Sequence, residues 1–310
     1  MNKMKKIGLT ALAASLVSVS AQAVDISGGS SLTYANGNDG VQGNPWSMND
    51  SLTFSWGGEL DNGFTVDMSF LLDNSDGNAG QIFDNRTLAI GMGDAGTLTF
   101  WGQAGSGVVG SFDDKTPNAY EESWNTGDSP NQGHSAANMF YYTNALDAVT
   151  LHASYAHGTV DESSTELGIE FTGIDNLTIY GAAGTDNAAA NAVDNTIIGA
   201  SYTMGNATIG AQMNEADSEA ANGDEDFTAW SISYAVSEDM SISYGSSKLK
   251  YETAGTEDQD ATAISASYTM GSMTVAGALN SIDNQGAAAT GAGNTTANND
   301  MFEINLSFAF

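Results

Sequence analysis

The sequence contains no cysteine, few basic residues and, after its first two dozen residues, no long apolar run. The lack of cysteine excludes the disulfide framework that stabilises many small exported domains. Beyond the start, the runs of large apolar side chains, such as Phe70-Leu71-Leu72, are too short for a membrane-spanning helix. Hydropathy alone therefore indicates a soluble acidic protein.

The charge of the chain is strongly unbalanced, with 38 acidic and 7 basic side chains among 310 residues. Three of the lysines (Lys3, Lys5 and Lys6) lie at the very start. The rest of the chain carries four bases against 38 acids, a formal charge of 4 − 38 = −34. This charge argues against nucleic acid and anionic headgroups as partners and favours cations.

Residues 1–23 have the three parts of a secretory signal peptide. The three lysines precede an apolar stretch at 7–19, and Ala21-Gln22-Ala23 matches an A-x-A cleavage site. The sequence therefore predicts a signal peptide over 1–23 and one exported domain over 24–310.

The last eleven residues, DMFEINLSFAF, alternate strictly between apolar and mostly polar side chains. The apolar set is Phe302, Ile304, Leu306, Phe308 and Phe310. A period of two is the signature of a β-strand with one apolar face. The same alternation recurs along the chain, and one hairpin unit is nearly duplicated, as SYTMGNATIGAQMN at 201–214 and SYTMGSMTVAGALN at 267–280.

The alternation predicts about 16 strands. They are expected near 25–35, 47–58, 64–73, 83–92, 97–101, 138–144, 149–157, 165–173, 177–183, 195–204, 207–213, 226–236, 240–250, 260–270, 273–280 and 300–310. Short connections alternate regularly with long ones that are rich in Gly, Asn and Asp.

Two all-β architectures compete for this pattern. A soluble sandwich or propeller buries its apolar parity against another sheet and needs no alternation of loop lengths. A membrane barrel turns the apolar parity to lipid, with short turns on one side and longer loops on the other. The polar parity carries no second set of large apolar residues, so we predict a transmembrane antiparallel β-barrel.

With these features the chain resembles the Gram-negative general-diffusion porins, most nearly the acidic alphaproteobacterial type. The resemblance implies a multi-pass barrel in the outer membrane that contacts its lipid and forms homotrimers. It also implies a water-filled channel for passive diffusion of small hydrophilic solutes and ions, with no enzymatic activity. In that family the alternating end, Phe302 to Phe310 here, is read by the outer-membrane assembly machinery.

In the resembling family the third long loop folds into the barrel and narrows it. Here that loop spans about 102–137, and its charged residues are expected at the pore constriction: Asp113, Asp114, Lys115, Glu121 and Glu122. Thr116 and Pro117 match the start of a short helix. The family faces these acids with a cluster of arginines. This chain has few bases, and Arg86 matches the wall position best, so we expect a cation-preferring pore.

Other readings remain beside this one. A non-conducting structural or adhesive barrel and a substrate-specific channel are the alternatives.

The GxGxxG match at Gly105–Gly110 is rejected as a nucleotide site because turn residues follow it and no helix is expected there. No cofactor is required, but DNSDGNAG at 73–80 and NGDED at 222–226 offer oxygen ligands that suit calcium, although such loops are usually plain solvated turns.

Overall fold

The computed structural model describes residues 24–37, 44–73, 83–158, 163–187, 191–252, 255–287 and 298–310. The predicted signal peptide lies outside these residues and stays a prediction. None of the helices in the described part of the chain is long and apolar enough to cross a membrane.

The described residues form eighteen strands and one α-helix. In chain order they are β1 Asp25–Gly37, β2 Trp46–Glu59, β3 Thr65–Asp73, β4 Asn85–Gly91, β5 Thr97–Gln103, β6 Gly105–Ser106, α1 Val108–Asp113, β7 Ser135–Ala136, β8 Met139–Leu146, β9 Val149–Ala156, β10 Ser164–Ile174, β11 Leu177–Asp186, β12 Val193–Met204, β13 Ala207–Ser218, β14 Glu225–Ala235, β15 Met240–Tyr251, β16 Gln259–Met270, β17 Met273–Asp283 and β18 Asn299–Ala309. Two short 3₁₀ turns, Gly93–Ala95 and Gln285–Ala287, complete the set.

Sixteen of the strands form one closed antiparallel barrel, which confirms the predicted fold class. Each strand pairs with its neighbour in sequence, β5 pairs with β8 across the long third loop, and β1 pairs with β18. Most predicted strand ends lie within three residues of the observed ones. The exception is β13, which ends at Ser218 rather than at 213. Its acidic last residues, 214–218, still pair with β12.

The barrel closes where its first and last strands, β1 and β18, pair with each other. Gly28 and Phe310 exchange backbone hydrogen bonds of 2.9 Å in both directions, and Leu32 lies opposite Leu306. A Cβ on Gly28 would lie 2.7 Å from the Ser51 carbonyl oxygen and 3.0 Å from the Phe310 ring, so only glycine fits this seam. The role of this end as an assembly signal stays a prediction.

Side chains alternate between an outward face and an inward face on every barrel strand. On β13, Ile209 and Met213 point outward and are 52% and 59% exposed, whereas Gln212 and Asn214 point inward and are buried. Exposed apolar side chains around a closed barrel form a patch far larger than a soluble protein leaves in contact with water. This surface therefore requires an apolar environment. The outward face is therefore the surface that meets membrane hydrocarbon.

The short connections lie at the end of the barrel where β1 begins and β18 ends. The two near-duplicate hairpins turn on Gly205 and Gly271, each with φ of 61°. This left-handed conformation is readily adopted by glycine, and it gives the tight two-residue connection that the repeated Met-Gly pair predicts. The long connections lie at the opposite end, so the predicted alternation of turn and loop lengths is confirmed.

Candidate functional site

The long connection between β5 and β8 folds into the interior of the barrel, as the resemblance implied. We call residues 104–138 the lumen loop. Its two limbs are joined at the base by the short pair β6–β7, where Gly105 lies opposite Ala136. Between them, α1 packs against β9, β10, β11 and β12, and the rest of the loop continues along the inner wall towards β18.

Glu166 on β10 fastens both limbs of the lumen loop to the wall. Its carboxylate accepts hydrogen bonds from the backbone N–H of Val109 at 2.9 Å and from that of His134 at 2.7 Å. Gly107 and Gly133 make this approach feasible, because a Cβ on either would lie 2.2–2.3 Å from a Glu166 oxygen. Both glycines are therefore required by the position of one buried carboxylate.

The glycine-rich start of the loop does lead into a helix, so the expectation that none begins there is wrong. The N-terminus of α1 is already occupied by the wall, since Val108 N–H donates to Ser154 Oγ at 3.3 Å and Val109 N–H donates to Glu166. The donors that cradle a phosphate in nucleotide-binding proteins are thus used within the chain.

Two apolar contacts hold the lumen loop against the wall. The first joins Val108, Val109 and Phe112 of α1 to the inward side chains Tyr180, Ala182 and Ile197. The second joins Trp124 to Phe227, Ala229 and Leu249, with the Trp124 and Phe227 ring centroids 5.0 Å apart at 80°. The inward parity was expected to carry no second set of large apolar residues, but on the strands that receive the loop it does provide two small apolar clusters.

Hydrogen bonds fix the segment between these two contacts. Ser231 Oγ donates to the Pro117 carbonyl at 2.7 Å, and Ala119 N–H donates to Ser243 Oγ at 2.9 Å. Thr116 and Pro117 do not begin a helix, contrary to prediction. The Pro117 carbonyl and the Ala119 N–H bond to wall hydroxyls instead of closing a helical turn.

Asp113 does not line the open lumen, so its predicted position is wrong. Its side chain is fully buried between α1 and β13, where it accepts hydrogen bonds from Gln132 at 3.0 Å, Gln212 at 2.9 Å and Asn214 at 3.1 Å. Burial, and then the charge of Asp114, raise the pKa of Asp113 to about 6, although the three amide donors oppose the shift. Asp113 is a loop anchor.

Lys115 lies beside this anchor and is neutralised there. Its ammonium forms an ion pair with Glu170 of β10 and lies 4.5 Å from the Phe112 ring centroid and 5.4 Å from that of Tyr180. A cation held by a carboxylate and two aromatic faces is fixed in position and adds little net charge to the lumen.

The acids that do face the lumen lie further along the loop. Asp114 is exposed, and Glu121 and Glu122 are half-buried. The Tyr120 hydroxyl donates to Glu303 of β18, which brings Glu303 beside Glu121. Burial, and then the charges of Glu303 and Glu122, raise the pKa of Glu121 to about 7. We call Asp114, Glu121, Glu122 and Glu303 the lumen carboxylates; Glu303 was not predicted as a site residue.

Arg86 does not belong to this site, so its predicted place on the lumen wall is wrong. It lies directly opposite Phe70, two residues from Leu88, and therefore shares the outward face with these apolar side chains. Its guanidinium donates to the Gly102 carbonyl at 3.3 Å. The outward direction of Arg86 follows from the alternation of side chains along β4. This alternation can be read from the sequence once the ends of the strand are known.

No calcium site is formed by the residues that the structure describes. Most of the segment 73–80 lies outside the described residues. At 222–226, the Asp224 carboxylate accepts a hydrogen bond of 2.8 Å from Ser218 N–H. Within the described ranges, no group of three or more His, Cys, Asp or Glu is placed to hold a metal ion.

We predict that Glu166→Ala loosens the lumen loop. Each lost hydrogen bond to the carboxylate stabilises the attachment by about 1.5–3 kcal/mol, so amide hydrogen exchange over residues 107–134 should become at least tenfold faster while the barrel strands stay protected. Glu59→Ala is the matched control, because it removes an inward carboxylate at the turn end of β2. Unchanged exchange in Glu166→Ala would contradict the anchoring role.

Solved structures of similar fold were compared with this barrel. An anion-selective porin from Comamonas acidovorans has a TM-score of 0.72 at 13% identity, over 93% of this chain and 99% of that one. A loop-deletion mutant of OmpT, an outer membrane protein of Vibrio cholerae, has a TM-score of 0.70 at 15% identity, over 93% and 99%. A mutant of the Rh. blastica porin has a TM-score of 0.67 at 16% identity, over 93% and 100%.

These identities are low and establish the fold alone. No curated protein matches the chain by sequence. The family model described as Gram-negative porin, however, matches residues 8–308, which is nearly the whole chain. Together with the closed sixteen-stranded barrel and its inward loop, this match shows that the chain belongs to the Gram-negative porin family and resides in the outer membrane.

Proposed function

We propose that this porin is a passive diffusion channel for small hydrophilic solutes and that it prefers cations. The observation that carries the proposal is the placement of the four basic side chains that follow residue 23. Arg86, Lys248 and Lys250 lie on the outward face, and only Lys115 lies inside the barrel, paired with Glu170. The lumen carboxylates therefore face no opposing basic cluster.

The inner wall away from the lumen loop supports the same proposal. Every hydrogen bond that the structure describes between the loop and a barrel strand involves β8–β18, so the remaining lumen is bounded by β1–β5. The inward side chains of β2 include Asn49, Ser51, Thr53 and Ser55. Hydroxyl and amide groups solvate a passing ion without repelling a cation. The electric field across the narrowest part of the lumen is therefore set by the lumen carboxylates.

The charge arrangement of this chain does not favour the anion selectivity of one structural relative. The Comamonas protein is described as anion-selective. At 13% identity it shares the fold with this chain, and ion preference depends on individual side chains.

We also propose that the chain has no catalytic role. Two of its histidines support the attachment of the lumen loop: His134 Nδ1 lies 2.9 Å from Asp186 Oδ1, and His152 Nδ1 lies 3.1 Å from the Tyr141 hydroxyl. These contacts fix loop and wall side chains. Neither of these two histidines contacts a serine. The third histidine, His157, lies 3.3 Å from Ser163 Oγ, but this pair is exposed to solvent at the loop end of β9 and lies in no cleft of the kind in which a hydrolase activates its serine.

We predict that planar bilayers with the reconstituted protein give a cation-selective reversal potential under a KCl gradient at pH 8. The double variant Glu121→Gln, Glu122→Gln should lower the K⁺/Cl⁻ permeability ratio severalfold because it removes two lumen carboxylates. Asp283→Asn is the control, since this acid lies on the outward face at the loop end of β17 and should leave the ratio unchanged. The effect should shrink in molar salt, where the Debye length is about 3 Å. Anion preference of the unaltered protein would refute the proposal.

We predict that the same permeability ratio falls as the pH is lowered from 8 to 6. A carboxyl group whose pKa is raised to about 7 is ionised above that pH and loses its charge below it, so Glu121 contributes to cation preference mainly at alkaline pH. Glu121→Gln should remove most of the change between pH 8 and 6. A variant that keeps the full pH dependence would show that other groups cause it.

We further propose that the protein is a homotrimer in which the early strands, β1–β5, and the last strand, β18, face the neighbouring copies. Asp50 lies on the outward face between Met48 and Leu52, opposite Ser30 of β1. Arg86 lies on the outward face of β4. A charged side chain on the lipid face of a barrel costs up to about 2–4 kcal/mol for Arg at the midplane, and less for an acid. Contact with another copy would remove both charges from hydrocarbon.

The absence of native cysteine permits a direct test of this interface. We predict that Ser30→Cys in detergent-extracted membranes gives covalent oligomers with a short bis-maleimide crosslinker. Ile169→Cys is the control, because Ile169 is 48% exposed on the outward face of β10, away from β1–β5. Equal crosslinking at both positions, or none at Ser30→Cys, would rule out the proposed face.

A further inference from the structure

The inner wall beneath one segment of the lumen loop is made of small side chains. On β16 and β17, the inward residues Ala263, Ser265, Ala276 and Ala278 are between 2% and 6% exposed. Thr269, on the same face of β16 but nearer the turn end, is exposed. A barrel of sixteen strands is too wide for side chains of the opposite wall to cover such small residues. The lumen loop therefore covers them.

Four inward side chains form one row across this part of the wall. Ser243 of β15 lies opposite Ser265 of β16, and their hydroxyl oxygens are 2.7 Å apart. Beyond Ser265 the row continues through Ala278 of β17 to Glu303 of β18. Neighbouring strands lie about 4.8 Å apart, so three such spacings make the row roughly 14 Å long.

Two consecutive residues of the lumen loop bond to the two ends of this row. Ala119 N–H donates to Ser243 Oγ at 2.9 Å, and the Tyr120 hydroxyl donates to the Glu303 carboxylate. The two middle residues of the row are only 2% and 3% exposed. The Tyr120 side chain therefore extends from the β15 end of the row to the β18 end, directly over the two small residues between them.

The residues that follow Tyr120 are held at the same height. Asn280, two residues from Ala278 along β17 towards the loop end, donates to the Glu122 carbonyl at 3.1 Å. Glu121 lies between these two attachments and borders the open lumen. How far Tyr120 and Glu121 project into the lumen therefore depends on the thickness of the side chains beneath the tyrosine ring.

We propose that Ser265 and Ala278 set the size limit of the pore for uncharged solutes through the position of Tyr120. Small side chains at these two positions let the ring lie flat on the wall, which keeps the lumen between the ring and β1–β5 open. A larger side chain would lift the ring and carry Glu121 towards the opposite wall, because a packed contact cannot absorb the added volume. Ser265 and Ala278 are buried and act as positioning residues, whereas Tyr120 borders the lumen. The inference rests on the proposed diffusion function but concerns size and not charge.

Swelling of liposomes that contain the reconstituted full-length protein tests this inference. Arabinose, glucose and sucrose are the probes, because they differ in size and carry no charge. We expect Ala278→Leu to lower the ratio of the sucrose rate to the arabinose rate severalfold, and to lower the single-channel conductance in KCl. Tyr120→Ala removes the ring and should raise both quantities. Both variants should keep a cation-selective reversal potential, because neither substitution removes a charge.

Matched variants separate the position of the ring from other effects. Ala89→Leu adds the same bulk to an inward alanine near the turn end of β4, opposite Asp67, and should leave the sugar ratio unchanged. Glu303→Gln and Glu303→Ala both remove the charge of this residue, but only glutamine keeps an oxygen that accepts from the Tyr120 hydroxyl. The sugar ratio should therefore fall only in Glu303→Ala, where the ring is released into the lumen. Folding of each variant is checked by the shift in electrophoretic mobility on heating.

Several results would overturn the inference. An unchanged sugar ratio in Ala278→Leu, or an equal fall in Ala89→Leu, would show that the wall beneath the ring does not set the size limit. A change of the same sign in Ala278→Leu and Tyr120→Ala would show a general loosening of the loop, since opposite signs are expected. If Ala278→Leu fails to fold, a ratio that does not rise in Tyr120→Ala still contradicts the inference. The absence of arabinose uptake through the unaltered protein would instead refute the diffusion function itself.

Discussion

The structure depends on one constraint, which is that backbone N–H and C=O groups cannot remain unpaired in hydrocarbon. The pairing of β1 with β18 satisfies it, because each barrel strand then has a neighbour on both sides. The reciprocal bonds between Gly28 and Phe310 complete the seam at the turn end. The alternation of side chains follows from closure: once the sheet is a cylinder, every second residue must face lipid and the others must face the interior.

Closure also explains why the lumen loop needs its own core. A cylinder of sixteen strands is too wide for its inward side chains to fill. The loop therefore brings apolar residues inside, and Phe112 and Trp124 pack on apolar positions of the wall. Buried polar groups support this packing, with Glu166 accepting from the backbone of both limbs and Asp113 accepting from three amides. These anchors leave the remaining carboxylates of the loop turned towards open lumen.

Most of the barrel could be predicted from the sequence because period-two alternation is a local signal that each strand carries by itself. The lumen site was harder to predict because it depends on contacts between residues far apart in the chain. Asp113 and Asp114 are adjacent acids, yet one is a buried anchor and the other is exposed, and only the position of Gln212 and Asn214 separates them. Glu303 was read as a polar residue of the last strand, since nothing near it in sequence reveals Tyr120.

Some of the missed features did leave a local signal. Leu249 stands between two lysines and Phe227 between Asp226 and Thr228, so that at these points the parity that should face water carries the larger apolar residue. Such a local reversal indicates an inward apolar position, where a loop has to pack. The outward position of Arg86 was equally readable from its register with Phe70. The resemblance to the family assigned Arg86 to the lumen wall, but the pleat of the strand places it on the other side.

The attachment of the lumen loop divides the barrel wall into a larger part that contacts the loop and a smaller part that does not. The strands that receive the lumen loop, β8–β18, carry inward side chains that pack against it. A substitution there therefore disturbs both the loop and the barrel wall. The inward side chains of β1–β5 make no hydrogen bond to the lumen loop among the described contacts. Substitutions confined to that part of the wall should therefore change the lining of the lumen without disturbing the attachment of the loop.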